Sequence, residues 1–217
     1  MDATVEKLLE SPRLVLYLRQ LEAVVSRERE AREHFYRETI DLSGLEFING
    51  SVTLQPRSSL AHMGVVSNLL ILLDTFVNLQ ALGYAATSTL IQLTRNDYEP
   101  DLCFFNREKS ASFTPEQMIF PVPDLVVEVL SESTAHRDRG IKFSDYAAHG
   151  IAEYWLIDPV AEVLEQYLLE SETYRLELKS GTGTVTSSAV EGFELPIRAL
   201  FDSAENRRVL KAILTDT

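Results

Sequence analysis

The chain has a single cysteine, Cys103, among 217 residues. No intrachain disulfide can form, and a reducing compartment fits. Basic residues are also scarce. Twenty lysines and arginines face 33 aspartates and glutamates, a formal net charge of −13 at pH 7. That balance disfavours broad, sequence-independent affinity for nucleic acid, which needs phosphate-neutralising cations. It leaves room for a small basic patch beside an acidic metal site. Glycine-rich phosphate loops are missing, since neither G-x-x-x-x-G-K-[ST] nor G-x-G-x-x-G occurs. One cysteine and four scattered histidines make no zinc-binding spacing. No G-x-S-x-G elbow presents a serine nucleophile. The N-terminus shows no basic-then-apolar signal pattern, and no apolar run is read as long enough for a membrane span. A cytoplasmic protein without a membrane partner is therefore expected.

What is present is an ordinary globular composition, 45% hydrophobic and 24% charged. A chain of this length buries a real core in one domain. The expected organisation is a helical arm over residues 1–40 followed by one folded domain over residues 41–217. In the arm, Leu14, Tyr17, Leu18, Leu21, Val24 and Val25 recur at helical spacing, and the mixed-charge run 27–33 follows them. One apolar stripe followed by charge predicts an arm that docks on its own domain or on a second copy. A homodimer is the corresponding expectation.

Beyond the arm, Asn49-Gly50 between two short runs predicts a hairpin over 45–56. The most apolar helix is expected over 60–82, packed across a sheet, with His62 in its first turn and Gly83 as its stop. Strands are expected near 86–93 and 98–105. A polar loop or short helix covers 106–120. Residues 125–130 read as a buried strand, with a helix behind it from about 138 to 149 that has Asp138 as its N-cap. A strand over 151–157 and a meander over 162–179, turning at 170–172, complete an α/β fold around a mixed sheet.

The chemistry centres on the strand at 125–130. Its run of apolar, mostly β-branched residues is interrupted by one carboxylate, Glu128. A buried carboxylate is costly unless it is paired or binds a metal; the plain alternative is a strand with one wet face. Asp101 follows Pro100 directly and shares a strand face with Cys103 and Phe105. If their strands are neighbours, Asp101 and Glu128 suit a hard divalent cation such as Mg²⁺ (or Mn²⁺), which often takes one or two carboxylates and keeps several waters. Lys142, near the start of the following helix, stands about where a lysine would reach back to polarise water or bind phosphate. Asp138, Lys142 and Tyr146 are four apart on one helix face. Asp124 lies roughly 13 Å along the strand from Glu128, so it reads as a strand-entry residue or a support to the site rather than a ligand. Paired carboxylates without a metal would instead suggest glycoside hydrolysis. An aspartate on one strand, a glutamate on the next and a helical lysine fit phosphodiester chemistry better.

Taken together, Glu99-Pro100-Asp101, the stretch 123–131, Ser133-Thr134, the stretch 138–143, Tyr146 to Gly150 and the stretch 153–159 resemble the signature of the Uma-type putative restriction endonuclease family, within the PD-(D/E)XK nuclease superfamily. The resemblance runs from about residue 46 to residue 200 and includes the Ile48-Asn49-Gly50 turn and the His62 helix start. It implies a restriction-endonuclease-like αβββαβ core with a mixed central sheet. It also implies Pro100-Asp101 as the "PD" and Glu128 as the acid of "(D/E)XK". The usual lysine position holds Leu130, a departure, and the resemblance suggests that Lys142 on the helix takes over. Asp101 and Glu128 are then the metal ligands. His62, Asp124, Asp138 and Tyr146 would support the site or touch substrate, and DNA would be the substrate of a divalent-metal-dependent endonuclease. The alternative is a binding or scaffold protein that keeps the fold without useful catalysis. The acidity and the absence of a basic stripe support that alternative, while the intact set of Asp101, Glu128 and Lys142 supports the nuclease, which is the expected function.

Overall fold

The computed structural model describes residues 3–38 and 44–215. Two helices come first, α1 (Ala3–Leu9) and the 25-residue α2 (Leu14–Glu38). β1 (Leu45–Ile48) and β2 (Ser51–Leu54) form the expected hairpin, with Asn49 and Gly50 at φ 49° and 81°. Asparagine and glycine tolerate these angles, which match the twist of the paired strands. α3 (Leu60–Leu79) starts where the Ser59 side chain accepts a hydrogen bond from the His62 amide. By length and composition α3 is apolar enough to cross a membrane, which corrects the reading that no apolar run reaches that length. Val65, Leu69, Leu72, Leu73 and Val77 on its inner face are buried in the core.

The two strands expected over 86–105 each break in two. β3 (Gly83–Ala86) and β4 (Leu90–Gln92) are separated by residues 87–89, where Ser88 takes a left-handed φ of 51°. β5 (Asp97–Tyr98) and β6 (Leu102–Asn106) are separated at Pro100, which has no N–H to continue a ladder. Each break moves the chain from one sheet to another. Nor is Gly83 the helix stop: Ala81, at φ 52°, takes the left-handed position after α3. Gly83 instead opens β3, where a Cβ would lie 2.0 Å from the Phe105 carbonyl oxygen.

α4 (Arg107–Ser110), β7 (Ile119–Phe120) and β8 (Leu125–Val129) follow. The helix expected over 138–149 is two pieces, α5 (Ala135–Asp138) and α6 (Ile141–Ala148). Asp138 therefore ends a helical turn rather than capping a helix start. The break is at Gly140, where a Cβ would meet the His136 carbonyl oxygen at 2.6 Å. β9 (Glu153–Asp158), β10 (Val163–Glu170) and β11 (Thr173–Ser180) follow, with β10 and β11 as the expected meander. A ribbon of β12 (Thr184–Thr186) and β13 (Glu194–Pro196), a 3-10 turn at Ile197–Leu200 and α7 (Ser203–Thr215) end the described chain.

The larger sheet has the order β11-β10-β9-β8-β6-β3 and is mixed, with β8 and β9 parallel and its other pairs antiparallel. With α3 before it and α6 between β8 and β9, this is the expected α/β fold. α3, α7 and the 3-10 turn cover one face through Phe104, Val127, Val129, Trp155 and Ile157. α6 and the smaller sheet, of order β2-β1-β5-β4-β7, cover the other face through Phe105, Val126, Tyr146 and Tyr154. With both faces covered, every residue of β8 is buried, so its sequence shows no wet face.

The arm behaves differently at its two ends. Near its C-terminus, α2 is clamped to the domain. Arg32 bonds the Asp97 carboxylate and the Leu93 carbonyl, Tyr36 bonds Asp97, and Glu28 pairs with Arg95. Towards its N-terminus, Val15, Leu16, Leu18, Leu21 and Val25 remain between 51% and 59% exposed.

Candidate active site

β8 directs Glu128 to the face that α6 covers. The register of β6 on β8 pairs Leu102 with Val127 and Cys103 with Val126, which puts Asp101 opposite Glu128. Side chains directly opposed in such a pair start roughly 5 Å apart at Cβ. Both residues line a small cleft of about 20 Å³ together with His62, Ser131, Thr134 and Asp138. That is room for about one water-sized occupant. A wider groove of about 700 Å³ continues from it past Arg57, Ser58, Ser88 and Glu99.

The Asp101 carboxylate is held from two sides. Its Oδ2 accepts the Val129 amide at 2.7 Å, and its Oδ1 lies 2.8 Å from His62 Nε2. Glu128 Oε1 accepts from Lys142 Nζ and from the Tyr146 hydroxyl, each at 2.9 Å. The Lys142 ammonium also lies 2.8 Å from Glu46 Oε1 and 3.6 Å from Asp138 Oδ1. It sits over the Tyr98 ring, 5.6 Å from the centroid. Arg137 approaches Glu46 Oε2 at 3.5 Å. Glu46, Glu128, Asp138 and Lys142 are all buried.

Three buried carboxylates around one lysine leave an excess of negative charge. Burial raises the pKa of Glu128 well above the usual carboxylate range. Lys142 pulls it down, while Asp138, Asp101 and Glu46 push it further up. Asp138 is raised by burial in the same way. For Lys142, burial works against the charged form, but Glu128, Glu46 and Asp138 outweigh it, so its pKa is raised and the ammonium stays charged. Such a site favours one more cation.

The donors suit a hard one. Among the described residues, Glu128 Oε2 has no hydrogen bond from the protein, and Asp138 Oδ1 is buried without one. Both residues line the cleft beside Asp101. Among the same residues, no three His, Cys, Asp or Glu side chains converge into a ready-made cage. One or two carboxylates completed by water and substrate oxygens is the manner of Mg²⁺ or Mn²⁺.

Of the residues singled out in the sequence, Asp101, Glu128, Lys142, Asp138, Tyr146 and His62 come together. Asp124 does not. Its carboxylate accepts from the Asn106 amide at 2.7 Å and from Lys109 Nζ at 2.9 Å, tying α4 to the entry of β8. Glu46 and Arg137 were missed. The signal for Glu46 was present, because Leu45-Glu46-Phe47 sets a carboxylate between apolar residues much as β8 does. For Arg137 the sequence offers none.

A family model, Uma2, described as "Putative restriction endonuclease", matches residues 32–198. Among solved structures, that of a putative nuclease belonging to DUF820 from Anabaena variabilis ATCC 29413 superposes with a TM-score of 0.63 at 20% sequence identity. The match covers 75% of this chain and 90% of that one, and at this identity it speaks for the fold. No curated protein matches the sequence.

Proposed function

Since the chain belongs to the Uma2 putative restriction endonuclease family, we propose that it is a divalent-metal-dependent endonuclease that hydrolyses DNA phosphodiester bonds. The observation that carries this reading is the opposed pair Asp101 and Glu128 in one cleft, with Glu128 Oε2 and the neighbouring Asp138 Oδ1 lacking hydrogen bonds among the described residues beside a charged lysine. These two acids would hold the ion. Mg²⁺ or Mn²⁺, when bound, polarises the phosphate and lowers the pKa of the attacking water.

The chain's own residues supply the rest. His62 and the Val129 amide orient Asp101. Tyr146 and Lys142 orient Glu128 from behind. The Lys142 charge offsets the negative charge that develops on the phosphate, an effect strengthened in a site that excludes water. Arg57 is the one arginine or lysine among the described residues lining the cleft and its groove, and with Ser58 it faces the path a phosphate would take. A homodimer acting in the cytoplasm belongs to the same reading, with the exposed stripe of α2 in the interface. The scaffold reading is supported by the net charge of −13 and by how few cations line the cleft.

The test is cleavage of plasmid and single-stranded DNA with Mg²⁺ or Mn²⁺, alongside thermal melts with and without the ion. Glu128→Gln keeps the side-chain shape and removes its charge. Cleavage should fall about 100-fold or more. The variant should still fold, because one buried negative charge has been removed from a crowded set. A wild type that cleaves nothing and gains no melting temperature from either ion would decide for the scaffold.

A further inference from the structure

Lys142 joins the two sheets. Glu128 reaches it from β8 of the larger sheet and Glu46 from β1 of the smaller one. These partners differ in one respect that matters for the reaction. Glu128 and Asp138 line the cleft, whereas Glu46 and Lys142 do not. An ion in the cleft therefore meets Glu128 and Asp138, and a carboxylate that gives its lone pairs to a dication loosens its hold on an ammonium group. Glu46 is the partner that such an ion cannot draw away. It is fully buried, its Oε1 also accepts the Glu99 amide at 3.2 Å, and Arg137 stands against its Oε2.

We propose that Glu46 is a positioning residue that fixes Lys142, so that Glu128 can exchange its lysine for a bound cation without the ammonium losing its place. The proposal deepens the metal-dependent nuclease reading and rests on it. It gives the β1–β2 hairpin a part in the site: β1 carries the lysine's permanent anchor, and the larger sheet carries the exchangeable one. It also fits a lysine that comes from α6 rather than from the position of Leu130, since from the helix the ammonium meets both Glu46 of β1 and Glu128 of β8.

The experiment is ¹⁵N–¹H NMR of the lysine ammonium groups in the full chain, with the Lys142 signal assigned by its loss in Lys142→Arg. An ammonium enclosed by three carboxylates exchanges slowly with water and gives a visible signal. In Glu128→Gln, and in wild type with saturating Mg²⁺, the signal should persist. In Glu46→Gln exchange should quicken roughly tenfold or more and the signal should fade, as expected for losing a charge-assisted hydrogen bond. The reverse pattern, or equal loss in both variants, would overturn the proposal. Should Glu46→Gln fail to fold, Glu46→Asp keeps the charge and retracts it by one methylene. Its signal should shift and exchange faster, and an unchanged signal there would also overturn the proposal. A wild type that binds no Mg²⁺ sinks the nuclease reading and the cation exchange with it, while the comparison of the Glu46 and Glu128 variants still decides whether Glu46 is the anchor of Lys142.

Discussion

Lys142 is the residue on which most of the site's electrostatics turn. It is 2% exposed and within reach of three buried acids. An exposed pair at four-residue spacing contributes only about 0.3–0.5 kcal/mol, and the buried arrangement changes the scale. Removing one partner from a buried ion pair typically costs about 3–5 kcal/mol, because the other is left uncompensated. Lys142→Ala should lose about that much in urea unfolding, and Mg²⁺ should raise its melting temperature more than it raises that of wild type. An unchanged urea midpoint would mean that Lys142 contributes no net stabilisation to this cluster of acids. Leu130 explains why the lysine is not on the strand. It packs at 8% exposure in the same apolar cluster as Val126, Tyr146 and Tyr154, so a lysine there would replace core contacts.

At the scale of elements, the α5–α6 junction decides where Asp138 points. Gly140 sits at φ −115° and ψ −100°, tight against the His136 carbonyl. The break lets Asp138 turn into the core, where its carbonyl accepts the Tyr154 hydroxyl at 3.1 Å and its carboxylate approaches Lys142. Gly140→Ala brings a Cβ into a backbone atom that has little room to move, and strain of this kind costs of order 1–3 kcal/mol. The variant should melt at a lower temperature than wild type and cleave more slowly. An unaltered melting curve would show that the junction accommodates a side chain.

At the scale of the whole molecule, the arm is the unfinished part of the fold. Its inner end is clamped through Arg32, Tyr36 and Asp97, while the stripe of Leu18, Leu21 and Val25 faces outward. Exposed apolar side chains in a row on one helix mark an interaction surface more often than chance, and a second copy presenting the same stripe would cover it. Sedimentation of the wild-type chain at micromolar concentration should therefore give twice the chain mass, and Leu18→Glu with Leu21→Glu should give a monomer. A wild-type monomer at high micromolar concentration would remove the dimer from the proposal.

The sequence by itself determined the elements whose local chemistry has one solution. Asn49-Gly50 admits little besides a tight hairpin turn, the apolar run of α3 must be covered, and the run from Leu125 to Val129 reads as a strand, although only the structure shows it buried on both faces. It also marked Asp101, Glu128 and Lys142, because a carboxylate within an apolar strand and a lysine on the next helix stand out by type and spacing alone. Tertiary structure decided the rest. The strands over 86–105 break at Ser88 and Pro100 because they serve two sheets, and no local signal says which sheet a residue will join. Glu46 enters the site only because β1 of the smaller sheet lies against α6, some hundred residues later in the chain. Asp124 leaves it because Asn106 and Lys109 satisfy its carboxylate at the far end of the same strand. In each case long-range pairing chose among conformations that the local sequence left close in free energy.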